Sequence, residues 1–234
     1  MARDDEAAEA LLPGEPPLRI ALRPSAQARR LSLRVSRIDG RVTLSFPPRL
    51  GRAAALEFAR EKEGWLRSTL AELPEAPRAV PGRLLPLGDA TLELVAAPLR
   101  RARREGGVLL VPAGQRTGPA VAEFLRSEAR ARLEPACARH AAALGRRPAA
   151  VVLRDTRSRW GSCTAEGRLM FSWRLAMAPE AVLDYVAAHE VAHLVEMNHS
   201  PAFWAVVARL CPDHGARRDW LRRHGPALQA WRFD

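Results

Sequence analysis

His189-Glu190-Val191-Ala192-His193 continues through Leu194-Val195-Glu196-Met197-Asn198 to His199, and the first five residues read H-E-x-x-H. On a helix, residues four apart lie one turn above each other on one face. His189 and His193 can therefore aim two imidazole nitrogens at one point about 2 Å away, the usual Zn–N distance. Glu190 follows the first histidine, where its carboxylate reaches water at the metal without binding the metal itself. This is the ligand-plus-base arrangement of zinc hydrolases. The surroundings strengthen it. Tyr185-Val186-Ala187-Ala188 leads in, and Val191, Ala192, Leu194 and Val195 fill the motif with apolar residues. A buried helix that carries His, Glu and His must find them partners, and a metal supplies one.

The chain has 234 residues, enough for one large domain or two small ones. Its net charge of +11, mostly arginine, favours anionic partners such as nucleic acid or nucleotides, or is simply a solvated surface. Cys137, Cys163 and Cys211 are odd in number and far apart, with no C-x-x-C, so neither a disulfide framework nor a cysteine zinc knuckle is expected. The acidic start, Met1 to Glu6, lacks an apolar signal core, and no apolar run reaches ~18 residues, so the expected setting is cytoplasmic with no membrane span.

Residues 1–17 read as a loose acidic tail ending in Pro13-Gly14-Glu15-Pro16-Pro17. Leu31, Leu33 and Val35 alternate with polar residues, as do Val42, Leu44 and Phe46. Asp39-Gly40 between them predicts a hairpin. Residues 53–73 read as a helix stopped by Pro74. Strands follow over 83–87, 91–96 and 108–111, and Arg100-Arg101-Ala102-Arg103-Arg104 reads as a solvated loop. The chain is helical over 120–144, with a kink or break expected at Pro135. Val151-Val152-Leu153 and Leu169–Trp173 read as strands around an arginine-rich turn. Pro179 opens the motif helix, Ser200-Pro201 opens another, and the last helix runs over 213–223.

A hydrolytic zinc site takes three protein ligands and leaves a position for water. No glutamate follows Glu196, so a glutamate on a downstream helix is not available. Glu196, at i+7 from His189, falls on the ligand face of an unbroken helix. If the helix ends near Met197-Asn198, with Asn198 in a left-handed cap, the chain turns back and presents His199, which Pro201 favours as a helix stop. His199 is the preferred third ligand; Glu196, Asp213 and His214 are the alternatives. The spacing equals the metzincin pattern H-E-x-x-H-x-x-G-x-x-H. However, Glu196 stands in place of its glycine and no methionine follows Met197, which excludes that family.

Arg159-Trp160-Gly161-Ser162-Cys163, Phe171-Ser172-Trp173-Arg174-Leu175, His189 to Leu194 and Asn198 to Trp204 together resemble the YgjP-type zinc metallopeptidases, relatives of SprT-like proteases. The N-terminal hairpin and the Gly88 strand resemble that family too. The resemblance implies His189, His193 and His199 as ligands of one zinc per chain and Glu190 as acid/base. It also implies a compact zincin fold behind an N-terminal sheet. It leaves the substrate open between peptide and nucleotide. The developing oxyanion needs a donor: Tyr185, the only tyrosine, and Arg159 are candidates, as are Arg157 and His214. Cys163 reads as a semi-buried turn residue rather than a nucleophile. Trp160, Trp173, Trp204, Trp220 and Trp231 read as core around the zinc helix rather than as base-stacking platforms.

The expected fold is α+β: a tail over 1–17, a small β-rich N-terminal subdomain over 18–115, and a helical zincin-type catalytic domain over 116–234. The expected function is a zinc metallopeptidase acting on peptide or protein, along the edge of Leu169–Trp173. The alternatives are a metal-dependent nucleotide phosphohydrolase and a nucleic-acid-associated zinc module that uses the basic surface.

Overall fold

The computed structural model describes residues 9–36, 38–73, 75–156 and 158–234. Its elements are mixed α and β, as expected: three small sheets and six α-helices among the described residues. The chain divides into two compact units, 1–76 and 77–234. The boundary expected at 115/116 lies inside the second unit.

The first unit is a four-stranded sheet backed by two helices. The hairpin signalled by Asp39-Gly40 is present: β3 (Ser32–Val35) pairs antiparallel with β4 (Val42–Phe46). Gly40 takes a positive φ of 69°, the conformation glycine allows without steric cost. β2 (Leu18–Pro24) runs parallel to β4, and β1 (Glu9–Leu12) closes the order β1-β2-β4-β3. The expectation of a tail up to residue 17 is therefore corrected. Ala10 and Leu12 point into the core, and their two-residue alternation is too short to register beside the acidic and proline-rich flanks. Residues 1–8 lie outside the described residues. The single helix expected over 53–73 is two, α1 (Gly51–Glu61) and α2 (Glu63–Ala71), divided at Lys62. Ala55, Ala59 and Leu66 from these helices seal Ile20, Leu22 and Leu44.

The second unit has one continuous core. Its first sheet has the order β5-β6-β8-β7, from β5 (Leu84–Leu87), β6 (Ala90–Ala96), β7 (Arg103–Glu105) and β8 (Val108–Val111). Part of the arginine run expected as a loop is thus an exposed edge strand, since a strand with no buried face leaves no apolar signal. α3 (Thr117–Ala143) runs unbroken through Pro135. The ~3 kcal/mol that an interior proline costs is offset by burying Leu125, Ala129, Leu133 and Ala136 along one side. The second sheet has the order β10-β11-β9, from β9 (Ala150–Arg154), β10 (Gly161–Cys163) and β11 (Arg168–Ser172). α4 (Glu180–Ala192) carries the motif, followed by α5 (Pro201–Leu210) and α6 (His214–Ala230). α6 continues past the stop expected at Gly225-Pro226. Its end is held by Arg174, which is almost fully buried and whose Nη1 donates to the carbonyls of Gln229 (3.2 Å) and Trp231 (2.8 Å).

α4 is apolar nearly all round, as a central helix must be. Val182, Leu183, Val186, Ala187, Ala188, Val191 and Ala192 are all buried. It packs on α3, where Asp184 accepts from Arg139 and pairs with His140 at 2.9 Å.

Candidate metal centre

The end of α4 sets the site. The helix stops with His193 as its C-cap residue, still in right-handed helical conformation, so His189 and His193 keep their one-turn relation. It ends earlier than the sequence reading placed it. Asn198 is not in a left-handed cap, and no described non-glycine residue has a positive φ. Instead the chain tightens through bonds from Leu194 N–H to the Val191 carbonyl and from Val195 N–H to the Ala192 carbonyl. Asn198 Oδ1 then accepts from the Ser200 N–H at 3.3 Å, and Ser200 Oγ caps α5 by accepting from the Phe203 N–H at 3.3 Å. This turn swings His199 back over α4.

His189, His193 and His199 come together, each offering a ring nitrogen, all within 4.8 Å of one another. The Nε2 atoms of His189 and His199 are 3.1 Å apart. Three nitrogens about 2.0–2.1 Å from one tetrahedral zinc would lie roughly 3.3–3.4 Å apart, so modest adjustment would seat an ion. His193 Nδ1 sits 2.9 Å from the Glu196 carbonyl, which fixes the ring and leaves Nε2 for a ligand. Burial, helped by His193 and His199, pushes the His189 pKa down to about 3, so the ring is neutral and its lone pair is available. The donor set therefore fits a borderline ion such as zinc. Among the described residues the group has three members, and Glu196, Asp213 and His214 are not among them.

Phe203 is the common floor. It is fully buried, and its ring lies 4.9, 4.5 and 4.7 Å from those of His189, His193 and His199. In the sequence Phe203 stands out only as part of the Asn198 to Trp204 stretch, with no role of its own.

Glu190 is buried beside β10. Burial raises its pKa to about 8, and the charge of Arg159 opposes that rise. Gly161 makes room for it: a Cβ there would stand 2.5 Å from Glu190 Cγ and Oε1. The φ of Gly161 is not in the left-handed region, so the close approach, not backbone conformation, explains the glycine. The sequence shows this glycine only as part of a quoted motif; its contact is across 29 positions and invisible to local reading.

The structure distributes the other candidates. Tyr185 is buried, its ring edge-on to His189 at 5.9 Å, and burial pushes its hydroxyl up to about 12, so it stays protonated. Arg159 is exposed. His214 stacks on Trp204 and its Nδ1 lies 3.2 Å from the Cys211 carbonyl. Arg157 lies outside the described residues. Cys163 keeps its proton, since burial raises its pKa, and its thiol donates to the Thr164 carbonyl. The strand segment expected to receive substrate, Leu169–Trp173, is corrected. β11 pairs with β10 on one side and β9 on the other, and Trp173 already belongs to a buried 3-10 turn. The sheet edge beside Glu190 is β10.

A helix-borne histidine pair and a third histidine on the returning turn form a group that could hold a metal ion, and a buried glutamate lies beside it between helix and strand edge. The family model described as YgjP-like, metallopeptidase domain matches residues 29–224, and the chain belongs to this family. No curated protein matches the chain, and no solved structure does.

Proposed function

We propose that this protein is a zinc-dependent peptidase in which His189, His193 and His199 hold one zinc ion and Glu190 is the general base and acid. The convergence of three neutral-capable imidazoles beside one buried carboxylate carries the reading. Zinc, when bound, supplies Lewis acidity that lowers the pKa of water and polarises a carbonyl. The chain supplies the rest. Glu190, made more basic by its burial, accepts the proton of the attacking water and returns it to the leaving amine. Arg159, whose charge is felt at Glu190, serves in this reading as the donor that stabilises the developing oxyanion. Tyr185, edge-on to His189, steadies that ring and keeps a proton to donate. A peptide lies along β10, the edge strand over which Glu190 is packed. A structural zinc role is disfavoured, because such sites close with four protein ligands.

The test is a parallel screen of unfolded proteins, peptides and nucleoside triphosphates, wild type against Glu190→Gln, with metal content measured on both. The expected outcome is peptide cleavage by the wild type, about one zinc per chain in each, and hydrolysis lost in Glu190→Gln. Cleavage of triphosphates alone would replace the peptidase with a nucleotide phosphohydrolase. Absence of zinc in carefully prepared protein would overturn both.

A further inference from the structure

α6 presents a row of arginines, and one of them is unlike the others. Arg217 pairs with Asp213 at 3.2 Å, and Arg222 with Asp219 at 3.4 Å. Arg223 Nε donates to the Asp219 carbonyl at 3.3 Å. Arg218 is exposed and has neither an ion pair nor a hydrogen bond among the described residues. It is nevertheless held in place. Its guanidinium lies 4.9 Å from the centre of the Trp204 ring. His214, one turn earlier on α6, stacks on that same indole at 5.8 Å with an angle of 24° between the planes.

Trp204 also borders the metal centre. Its ring centre is 5.7 Å from that of His189 and 6.0 Å from that of His199. The positive charge of Arg218 is felt at both His189 and Tyr185. An arginine against an aromatic face uses the face of its plane for that contact and leaves its N–H edges free. Those edges match the two oxygens of a carboxylate in a paired geometry that an ammonium cannot reproduce. A fixed, unpaired guanidinium at the rim of a hydrolytic site is therefore a place for an anion on the substrate.

We propose that Arg218, seated on Trp204, is a carboxylate-binding subsite that makes the enzyme prefer peptides with a carboxylate close to the scissile bond. The proposal rests on the peptidase reading for its kinetic consequence, but not for its binding consequence. Two sources supply the same chemistry: an acidic side chain, or the C-terminal carboxylate of the peptide.

The test uses the zinc-loaded full chain and matched fluorogenic peptides that differ only at one point: Glu against Gln beside the scissile bond, and a free C-terminal acid against its amide. Arg218→Met keeps the aliphatic stem and drops the fork; Arg218→Lys keeps the charge alone. For wild type, kcat/KM should favour one carboxylate form by about ten- to a hundredfold, the range of a charge-assisted hydrogen bond, and which pair shows it identifies the source. Arg218→Met should bring that ratio close to one through KM, and Arg218→Lys should recover only part of it. Binding of the same labelled peptides to Glu190→Gln, followed by fluorescence anisotropy, should show the same order without turnover. If no peptide is cleaved, the peptidase reading fails while the anisotropy still decides the subsite. Equal binding of acid and amide forms, a preference that survives Arg218→Met, or stronger competition by tripolyphosphate than by the acidic peptide would overturn the carboxylate assignment.

Discussion

Gly161 and Glu190 show how much one atom matters at this site. A methyl group at residue 161 would need the space that Glu190 Cγ and Oε1 occupy. Gly161→Ala should therefore push the carboxylate aside by a fraction of its own length, and misplacement on the order of 1 Å costs roughly 10²-fold in rate. The histidines are untouched, so metal content should stay at the wild-type value. Melting curves provide a check that does not depend on activity. Gly161→Ala should lower the melting temperature through overpacking, and adding Glu190→Ala should restore most of the loss. If Gly161→Ala keeps full activity, Gly161 does not position Glu190.

At the scale of elements, α4 is pinned to α3 by one acidic side chain. Asp184 lies between Arg139 and His140. Burial, the largest single influence, raises its pKa, yet the hydrogen bond and charge of His140, with Arg139, outweigh it and hold the carboxyl below its ordinary value. A depressed carboxyl adds stability above its unfolded pKa and loses it as pH falls through the folded one. Asp184→Asn should thus cost about 1–2 kcal/mol near pH 7, the worth of hydrogen bonds to a charged group on a partly exposed side chain. The gap to wild type should narrow below about pH 3.9, the ordinary aspartate range. Urea titrations at pH 7 and pH 3 read this directly; an equal gap at both would remove the carboxylate as its cause.

For the whole molecule, the three histidines come from the end of α4, which is packed into the core of unit 77–234, and from the largely exposed turn that follows, of which Leu194 rests against that core. Binding of a metal to the folded chain alone stabilises it by about 2.7 kcal/mol at a hundred times Kd. For a unit of this size that corresponds to roughly 5–10 °C in melting temperature. Chelation should lower the transition of this unit by such an amount, and zinc should restore it. The same treatment of His193→Ala should produce no shift. A chelator-insensitive wild type would argue that the histidine triad holds no ion.

Much of this could be read from the chain because the signals are local. The i, i+4 histidines, the adjacent glutamate, the apolar run of α4 and the Asp39-Gly40 turn all express themselves within a few residues. The α+β class and the membership of residues 29–224 in a metallopeptidase family agree with that reading. What stayed hidden depends on distant partners. The strand at Glu9–Leu12 exists because β2 offers it an edge. α3 passes through Pro135 because the core on one side outweighs the missing bond. Only the tertiary structure shows that β11 is enclosed and β10 is the edge beside Glu190, that Phe203 floors all three histidines, and that Gly161 yields its space to Glu190. The sequence alone determined which groups could do the chemistry, since ligand type and helical spacing are local properties. Their surroundings, and with them the seating of Arg218 on Trp204, were decided by packing between segments far apart in the chain.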